Sequence, residues 1–370
     1  MHRIDHLLPW SCLGTQRTLS VFSFGSGERK AYIQASLHAD ELPGMRVAVA
    51  LKRRLRELEQ AGQLRGVIEL VPVANPIGLA QVFQATHQGR FEFGSGKNFN
   101  RDFVQLDRLI GDQLEGYLQA DAQANLRLIR QFMLAALDAL PAATSEFQGL
   151  QRLLLRHACD ADIVLDLHCD FEAAVHLYSI PQHWPAWQPL ARRIKAAAVL
   201  LAEDSGGGSF DEVCSAAWLN LARRFAAFPI PLGCMATALE LGGMADTESE
   251  RTEAQAEAIL GFLADQGLIS GDWPSLPADC CAATPFEGAQ YALAPHAGVV
   301  SFMRSAGDRV EPGDPLFEVH DPLDDRHSIV RAETAGVIYA CERLRFAQPG
   351  LWLAKVAGAT PIRQGRLLSD

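Results

Sequence analysis

A chain of 370 residues, 48% hydrophobic and 21% charged, exceeds the usual size of one core and predicts two domains in a soluble globular protein. Its net charge of −11, with five lysines and no Lys/Arg block, excludes a general nucleic-acid binder and a binder of anionic membranes. It leaves room for a small anionic substrate held by one or two buried arginines.

The N-terminal MHRIDHLLPW lacks the long apolar core of a signal peptide, and no apolar run approaches the roughly 18–20 residues that span a bilayer. The expected location is cytoplasmic. Eight cysteines without C-x-x-C spacing fit reduced, buried thiols there and exclude a cysteine zinc knuckle.

Residues 18–37 predict two strands around the turn Gly25-Ser26-Gly27. MRVAVALKRRLRELEQAG has helical spacing and ends at Gly62, and GVIELVPVANPIG predicts a buried strand stopped by Asn75-Pro76. Residues 104–160 are mostly helical, with a break at Pro141. DADIVLDLH and VHLYSIP read as strands, WQPLARRIKAAAVLLAE as a helix over 187–203, and SGGGS at 205–209 as a flexible surface loop, with a substrate loop flanked by Asp204 and Asp211 as the other reading. CMATALELGG is a further strand, and TESERTEAQAEAILGFLADQG an amphipathic helix. Alternating strands and helices predict an α/β fold with a largely parallel or mixed sheet. From about residue 285 short β-rich runs between Gly, Pro and Asp turns predict a small all-β domain with a weak repeat of Ala-Gly-Val at 297–299 and 335–337. The expected domains are 1–284 and 285–370, with a linker around 272–288.

The chemistry-bearing residues lie near strand ends. His38-x-x-Glu41 follows an apolar strand, where residues three apart on a first helical turn bring both heads to one ion. A carboxylate near a helix start, beside a partly solvated histidine, is the plainer reading. His168 in IVLDLHCD is placed to add a third ligand, or simply to cap its strand; Asp166, two residues back on the same face, is placed to support it. Glu240 in ATALELGG is costly to bury unpaired, so it faces either a metal-activated water or a core arginine. Arg90 and Asn100-Arg101 supply guanidinium and amide donors suited to a carboxylate or carbonyl; Arg101 is also a possible partner for Asp102 or Glu69. His176, His183, His296, His320 and His327 read as surface or core histidines without partners at metal spacing.

His38-x-x-Glu41, Asn75-Pro76, Asn98-Phe99-Asn100-Arg101, Asp166-Leu167-His168 and Glu240-Leu-Gly-Gly occur in an order that resembles the succinylglutamate desuccinylase/aspartoacylase family of the zinc carboxypeptidase clan. The resemblance covers essentially the whole chain. It implies a zinc-carboxypeptidase-like α/β domain with a central mixed sheet and a C-terminal barrel-sandwich-like β domain. It further implies one Zn2+ per chain on His38, Glu41 and His168, Glu240 to activate water, and Asn100-Arg101 for a substrate carboxylate. Arg90 is the candidate for polarising the scissile carbonyl. The C-terminal segment also resembles biotinyl and lipoyl carriers, but VRAETAGV has no lysine at the hairpin tip, so a roof over the site or an oligomer contact is expected instead.

The resulting expectation is a zinc-dependent deacylase of a small anionic N-acyl amino acid, with no nucleic-acid or membrane partner and with homo-oligomerisation open. A carboxypeptidase trimming short peptides and a metal-free scaffold are the rival readings.

Overall fold

The computed structural model describes residues 1–278 and 281–367. The N-terminal run, for which no element is expected from sequence, forms the edge strand β1 (His2–Leu7), antiparallel to β2 (Thr18–Gly25). β3 (Lys30–Ala35) and β4 (Val67–Val71) are parallel and joined through α1 (Leu42–Gln60). Beyond β4, Asn75 caps the one-turn α2 (Pro76–Leu79) by accepting from the Gly78 N–H at 2.8 Å. The small hairpin of β5 (Val82–Phe83) and β6 (Thr86–His87) follows. The helical stretch resolves into α3 (Leu106–Ile110), α4 (Ala122–Asp138) and α5 (Glu146–Ala158); the Asp121 and Ser145 side chains cap the latter two.

β7 (Ile163–Asp170) is buried at every position, as a strand covered on both faces must be. After it come β8 (Glu172–Ala173), β9 (His176–Ser179), α6 (Trp184–Arg193) and β10 (Ala198–Leu201). The helix expected over 187–203 is therefore two elements. Lys195 turns the chain with φ of 56°, and the apolar AVLL, which has no polar face at helical spacing, enters the sheet. α7 (Phe210–Arg224), β11 (Met235–Gly243), α8 (Ser249–Asp265) and β12 (Ala283–Pro285) complete this part. The nine-stranded mixed sheet has the order β1-β2-β4-β3-β7-β11-β9-β10-β12. α1, α6 and α8 cover one face, with Trp187 and Phe262 in its core; α3, α4, α5 and α7 cover the other around Trp218.

The stretch expected as linker contributes β12 to the sheet edge and buries Phe286; Cys280 lies outside the described residues. Cys12, Cys159, Cys169, Cys214, Cys234 and Cys341 are free thiols. The C-terminal part contains β13 (Ala289–Leu293), β14 (Gly298–Phe302), β15 (Arg309–Val310), β16 (Pro315–His320), β17 (His327–Arg331), β18 (Gly336–Cys341), β19 (Phe346–Ala347) and β20 (Trp352–Gly358). They form two sheets, β13-β20-β18-β15 and β17-β16-β14-β19, around Phe317, Ile338 and Leu353. The Ala-Gly-Val repeat has a packing reason. A Cβ on Gly298 would stand 2.3 Å from the His320 carbonyl oxygen, and one on Gly336 2.1 Å from that of Ala357. β8 pairs with β18, so the C-terminal sheets are stitched onto the strand that follows His168.

Candidate active site

β3, β7 and β11 run parallel at the centre of the sheet, and their C-terminal ends open into one cavity of about 310 Å³. Just past β3, Ser36 is buried with φ of 66°, a left-handed conformation that turns the chain at the strand end. The Ala39 N–H donates to the Gly89 carbonyl at 3.1 Å and the Glu41 N–H to that of His38 at 3.1 Å, which fixes the following turn. His38 therefore stands in a turn before α1 rather than on its first helical turn, and Glu41 occupies the N-cap position. The 38–41 pairing expected from the sequence survives, carried by a tight turn.

Glu41 is the hub. Its Oε1 lies 2.8 Å from His38 Nδ1, and its Oε2 lies 2.8 Å from His168 Nδ1 and accepts from the Cys169 N–H at 3.1 Å. Arg90, half-buried, donates to Oε1 at 3.2 Å. The far nitrogens of both rings also have partners: His38 Nε2 is 2.8 Å from Asn98 Oδ1, and His168 Nε2 is 2.9 Å from Asp166 Oδ2. Gln34 holds the other Asp166 oxygen at 2.9 Å. Each Nδ1 thus faces a carboxylate oxygen of Glu41 at 2.8 Å, a contact that a proton or a metal ion between them satisfies. Two imidazoles and a carboxylate, all buried and with ligand atoms within 4.8 Å of one another, are a donor set that fits zinc.

Burial, reinforced by Arg90, pushes His38 down to about 4, so its imidazole is neutral and able to act as a ligand. Burial opposes charge on His168 as well, but Asp166 and Glu41 override it and raise that ring. Glu41 is desolvated too, yet the two histidines hold it well below the usual carboxylate range.

Glu240 is the register partner of His168 across β11 and β7, and it lines the cavity. Its Oε2 is buried without a hydrogen-bond partner, and burial pushes its carboxyl up to about 8. The alternative of an ion pair with a core arginine is not what forms, since no described arginine lies within salt-bridge distance of Glu240. Asn100 and Arg101 are buried at the same cavity. Asn100 Oδ1 accepts from the Phe210 N–H at 2.8 Å, and its amide nitrogen lies 3.4 Å from His168 Nε2. Glu69, one partner considered for Arg101, is instead bound by Lys30 at 3.2 Å and His157 at 3.0 Å.

His38, Glu41, Arg90, Asn100, Arg101, His168 and Glu240 thus line one cavity, with Asp166 directly behind His168. Others were not singled out. Asn98 was visible only inside its motif, as the residue two before Asn100. The 205–209 segment is not a free surface loop. Ser205 and Ser209 are buried against the cavity, and the Gly207 and Gly208 carbonyls accept from the Asp102 and Phe103 N–H groups at 3.2 Å each. The C-terminal part supplies Tyr291, Glu342, Trp352 and Lys355 to the cavity wall. Lys355 had a signal, a lone charge in the apolar run WLAKVAG, by the reasoning applied to Glu240. His320 and His327 correct the expectation of isolated histidines. Cross-strand pairing stacks their rings 4.3 Å apart, and both reach Glu318, at 3.2 and 3.1 Å, on an exposed hairpin.

A central mixed sheet that gathers two histidines and a glutamate at its strand ends, with a buried carboxylate beside them, defines an α/β protein with a candidate metal centre. The catalytic-domain family of succinylglutamate desuccinylase and aspartoacylase matches residues 28–264, more than half of the chain. The chain belongs to the succinylglutamate desuccinylase/aspartoacylase family of deacylating hydrolases.

Solved structures agree. A family protein from Shewanella amazonensis aligns with TM-score 0.83 and 26% identity, over 96% of this chain and 98% of that one. A second, from Shewanella frigidimarina, aligns with TM-score 0.82 and 23% identity over 96% and 97% of the two chains. The product-bound ectoine utilization protein EutE (DoeB) from Ruegeria pomeroyi shares the fold at TM-score 0.65 and 18% identity, over 97% and 95%. The comparison with curated proteins gives no match. Among the described residues no helix is long and apolar enough to cross a membrane.

Proposed function

We propose that this chain is a zinc-dependent amidohydrolase that removes the acyl group from an N-acyl amino acid or related small amide. One zinc ion per chain would be held by His38, Glu41 and His168. The observation that carries the reading is the convergence of two buried histidine Nδ1 atoms on the two oxygens of Glu41 at 2.8 Å each, a donor set for one cation in the cavity wall. When bound, zinc supplies Lewis acidity for the amide carbonyl and lowers the pKa of water toward about 7.

The chain's own residues do the rest. Glu240, with one buried oxygen unpaired, would be drawn into its ionised form by a cation in the adjacent ligand cluster; it then takes a proton from the attacking water and delivers it to the leaving amine. Arg90 reaches the same ligand cluster from the side and is the donor for the carbonyl oxygen as charge develops on it. Asn100 and Arg101 hold the substrate carboxylate, which lets an acidic protein accept an anionic substrate. The cavity is lined from both parts of the chain, which limits water around the reacting bond.

Elemental analysis of the purified protein, with a screen of N-acyl amino acids for amine release, tests the reading. About one zinc per chain is expected, with release abolished by a chelator and restored by zinc. Glu240→Gln should lower kcat by roughly 10²–10⁴-fold at unchanged zinc content. Full activity in that variant, or a protein that retains no zinc, would refute the mechanism.

A further inference from the structure

The cavity has two unlike ends. Toward α7 it is polar, with Arg101, Ser205, Ser209 and Ser215, and with Asp211 and Glu212, whose carboxylates accept from the Ser209 hydroxyl at 2.7 Å and the Ser205 N–H at 2.5 Å. Toward β9, β10 and the C-terminal sheets its wall is Tyr178, Ile180, Leu200, Phe286, Leu351 and Trp352. These residues form a built surface. The Tyr178 and Phe286 rings meet at 5.1 Å, and Trp352 stacks on Phe171 at 5.7 Å with only 9° between the planes.

Charge at that end decides what it accepts. The cations lining the described cavity are Arg90, Arg101 and Lys355. Arg90 is bonded to Glu41, and the Lys355 ammonium is bonded to Asp170 at 2.8 Å and lies 4.0 Å from the Trp352 ring centroid. Asp170, Glu240 and Glu342 also border the apolar end. A second carboxylate placed there would meet an ammonium already neutralised and two further acids, and would lose its water. An acetyl group would leave most of the aromatic wall uncovered.

We infer that, on the amidohydrolase reading above, the acyl group this chain takes is uncharged, apolar and larger than acetyl, a medium-chain or aromatic acyl. The amino-acid half faces Arg101, and the acyl half lies against Tyr178, Phe286, Leu351 and Trp352. β9, β10, Phe286 and the start of β20 thereby select the substrate, while the strand ends at the centre of the large sheet carry the chemistry.

The test is a matched series of N-acetyl, N-butanoyl, N-hexanoyl, N-benzoyl and N-succinyl derivatives across a panel of amino acids, read as kcat/KM in the zinc-loaded protein. Burial of each methylene predicts a rise of about fourfold, so roughly two-hundredfold from acetyl to hexanoyl, with benzoyl also well above acetyl. Succinyl should be no better than acetyl. Ala202→Phe, which fills part of this wall, should cut the hexanoyl-to-acetyl ratio by at least tenfold. Because both substrates are read in one preparation, partial misfolding cancels from that ratio. Acetyl or succinyl preferred over hexanoyl and benzoyl, or an unchanged ratio in Ala202→Phe, overturns the inference and leaves the amidohydrolase standing. Amine release from none of the series overturns the amidohydrolase itself, and this inference falls with it.

Discussion

Lys355→Met is the sharpest probe of how the C-terminal sheets are tied to the site. Lys355 on β20 donates to Asp170 at the end of β7 at 2.8 Å, and the two side chains are only 7% and 10% exposed. Burial alone would raise the Asp170 carboxyl, but Lys355 outweighs it and holds that group below the usual carboxylate range. Burial likewise opposes charge on Lys355, and Asp170 reverses that and raises the ammonium. Removing the lysine leaves a desolvated carboxylate without its partner, a change that costs about 3–5 kcal/mol. Lys355→Met with Asp170→Asn removes both charges and should recover most of that loss.

The pH dependence follows from the signs. In the parent, Asp170 has a depressed pKa, so its stabilisation is present above the unfolded carboxylate value of about 3.9 and is lost as pH falls through the folded value. In Lys355→Met the same carboxyl is governed by burial and titrates higher, so acid relieves the strain by protonating it. The penalty should be largest near neutral pH and shrink on acidification. Urea unfolding followed by circular dichroism at neutral pH and in mild acid measures it. A penalty below about 1 kcal/mol, or one that does not change with pH, would refute the assignment of this pair as a buried, mutually dependent contact.

Asp166→Asn, which weakens the acceptor behind His168, is expected to lower zinc affinity by roughly 10–100-fold, measured by competition with a chromogenic chelator. Glu69 is desolvated, but His157 and Lys30 hold its pKa down, so its contribution exists above about pH 4.3 and disappears in acid. Glu69→Gln should therefore cost about 1–2 kcal/mol at neutral pH and nothing in acid, which a pH series of urea midpoints will show. Gly89→Ala places a Cβ 2.1 Å from the Asp40 backbone nitrogen, against the turn that carries His38 and Glu41. A loss of about 1–3 kcal/mol is expected, together with lower zinc content, and wild-type values for both would show that the turn adapts freely.

What was legible in the sequence was what local pattern encodes. His38 and Glu41 share a turn, Asp166 and His168 share a strand face, and Glu240 interrupts an apolar strand, so each declares itself within a few residues. The α/β alternation followed from periodicity in the same way. The split of 187–203 did not, because Ala, Leu and Val in an unbroken apolar run satisfy a buried helix or a buried strand, and only the turn at Lys195 separates them. The 205–209 segment looked flexible from its glycines, yet those glycines let its backbone approach Arg101 and the carbonyls meet Asp102 and Phe103.

The wall of the cavity is a different kind of information. Lys355 and Asp170 are 185 residues apart in the chain, and Tyr178 on β9 meets Phe286, which directly follows β12. No spacing rule links such pairs, because their contact depends on β8 joining β18 and on the way the C-terminal sheets then settle over the strand ends. The distinction has a functional consequence. A candidate metal group assembled from strand ends depends mainly on the central sheet, and that sheet changes little while it stays buried on both faces. An acyl wall assembled from β9, β10 and the C-terminal strands is free to vary in size and charge without touching His38, Glu41 or His168. Substitutions at Ala202 and Leu351 should therefore move substrate preference at constant zinc content, whereas those at Asp166 and Gly89 should move zinc content first. The two groups of variants separate what the site does from what it does it to.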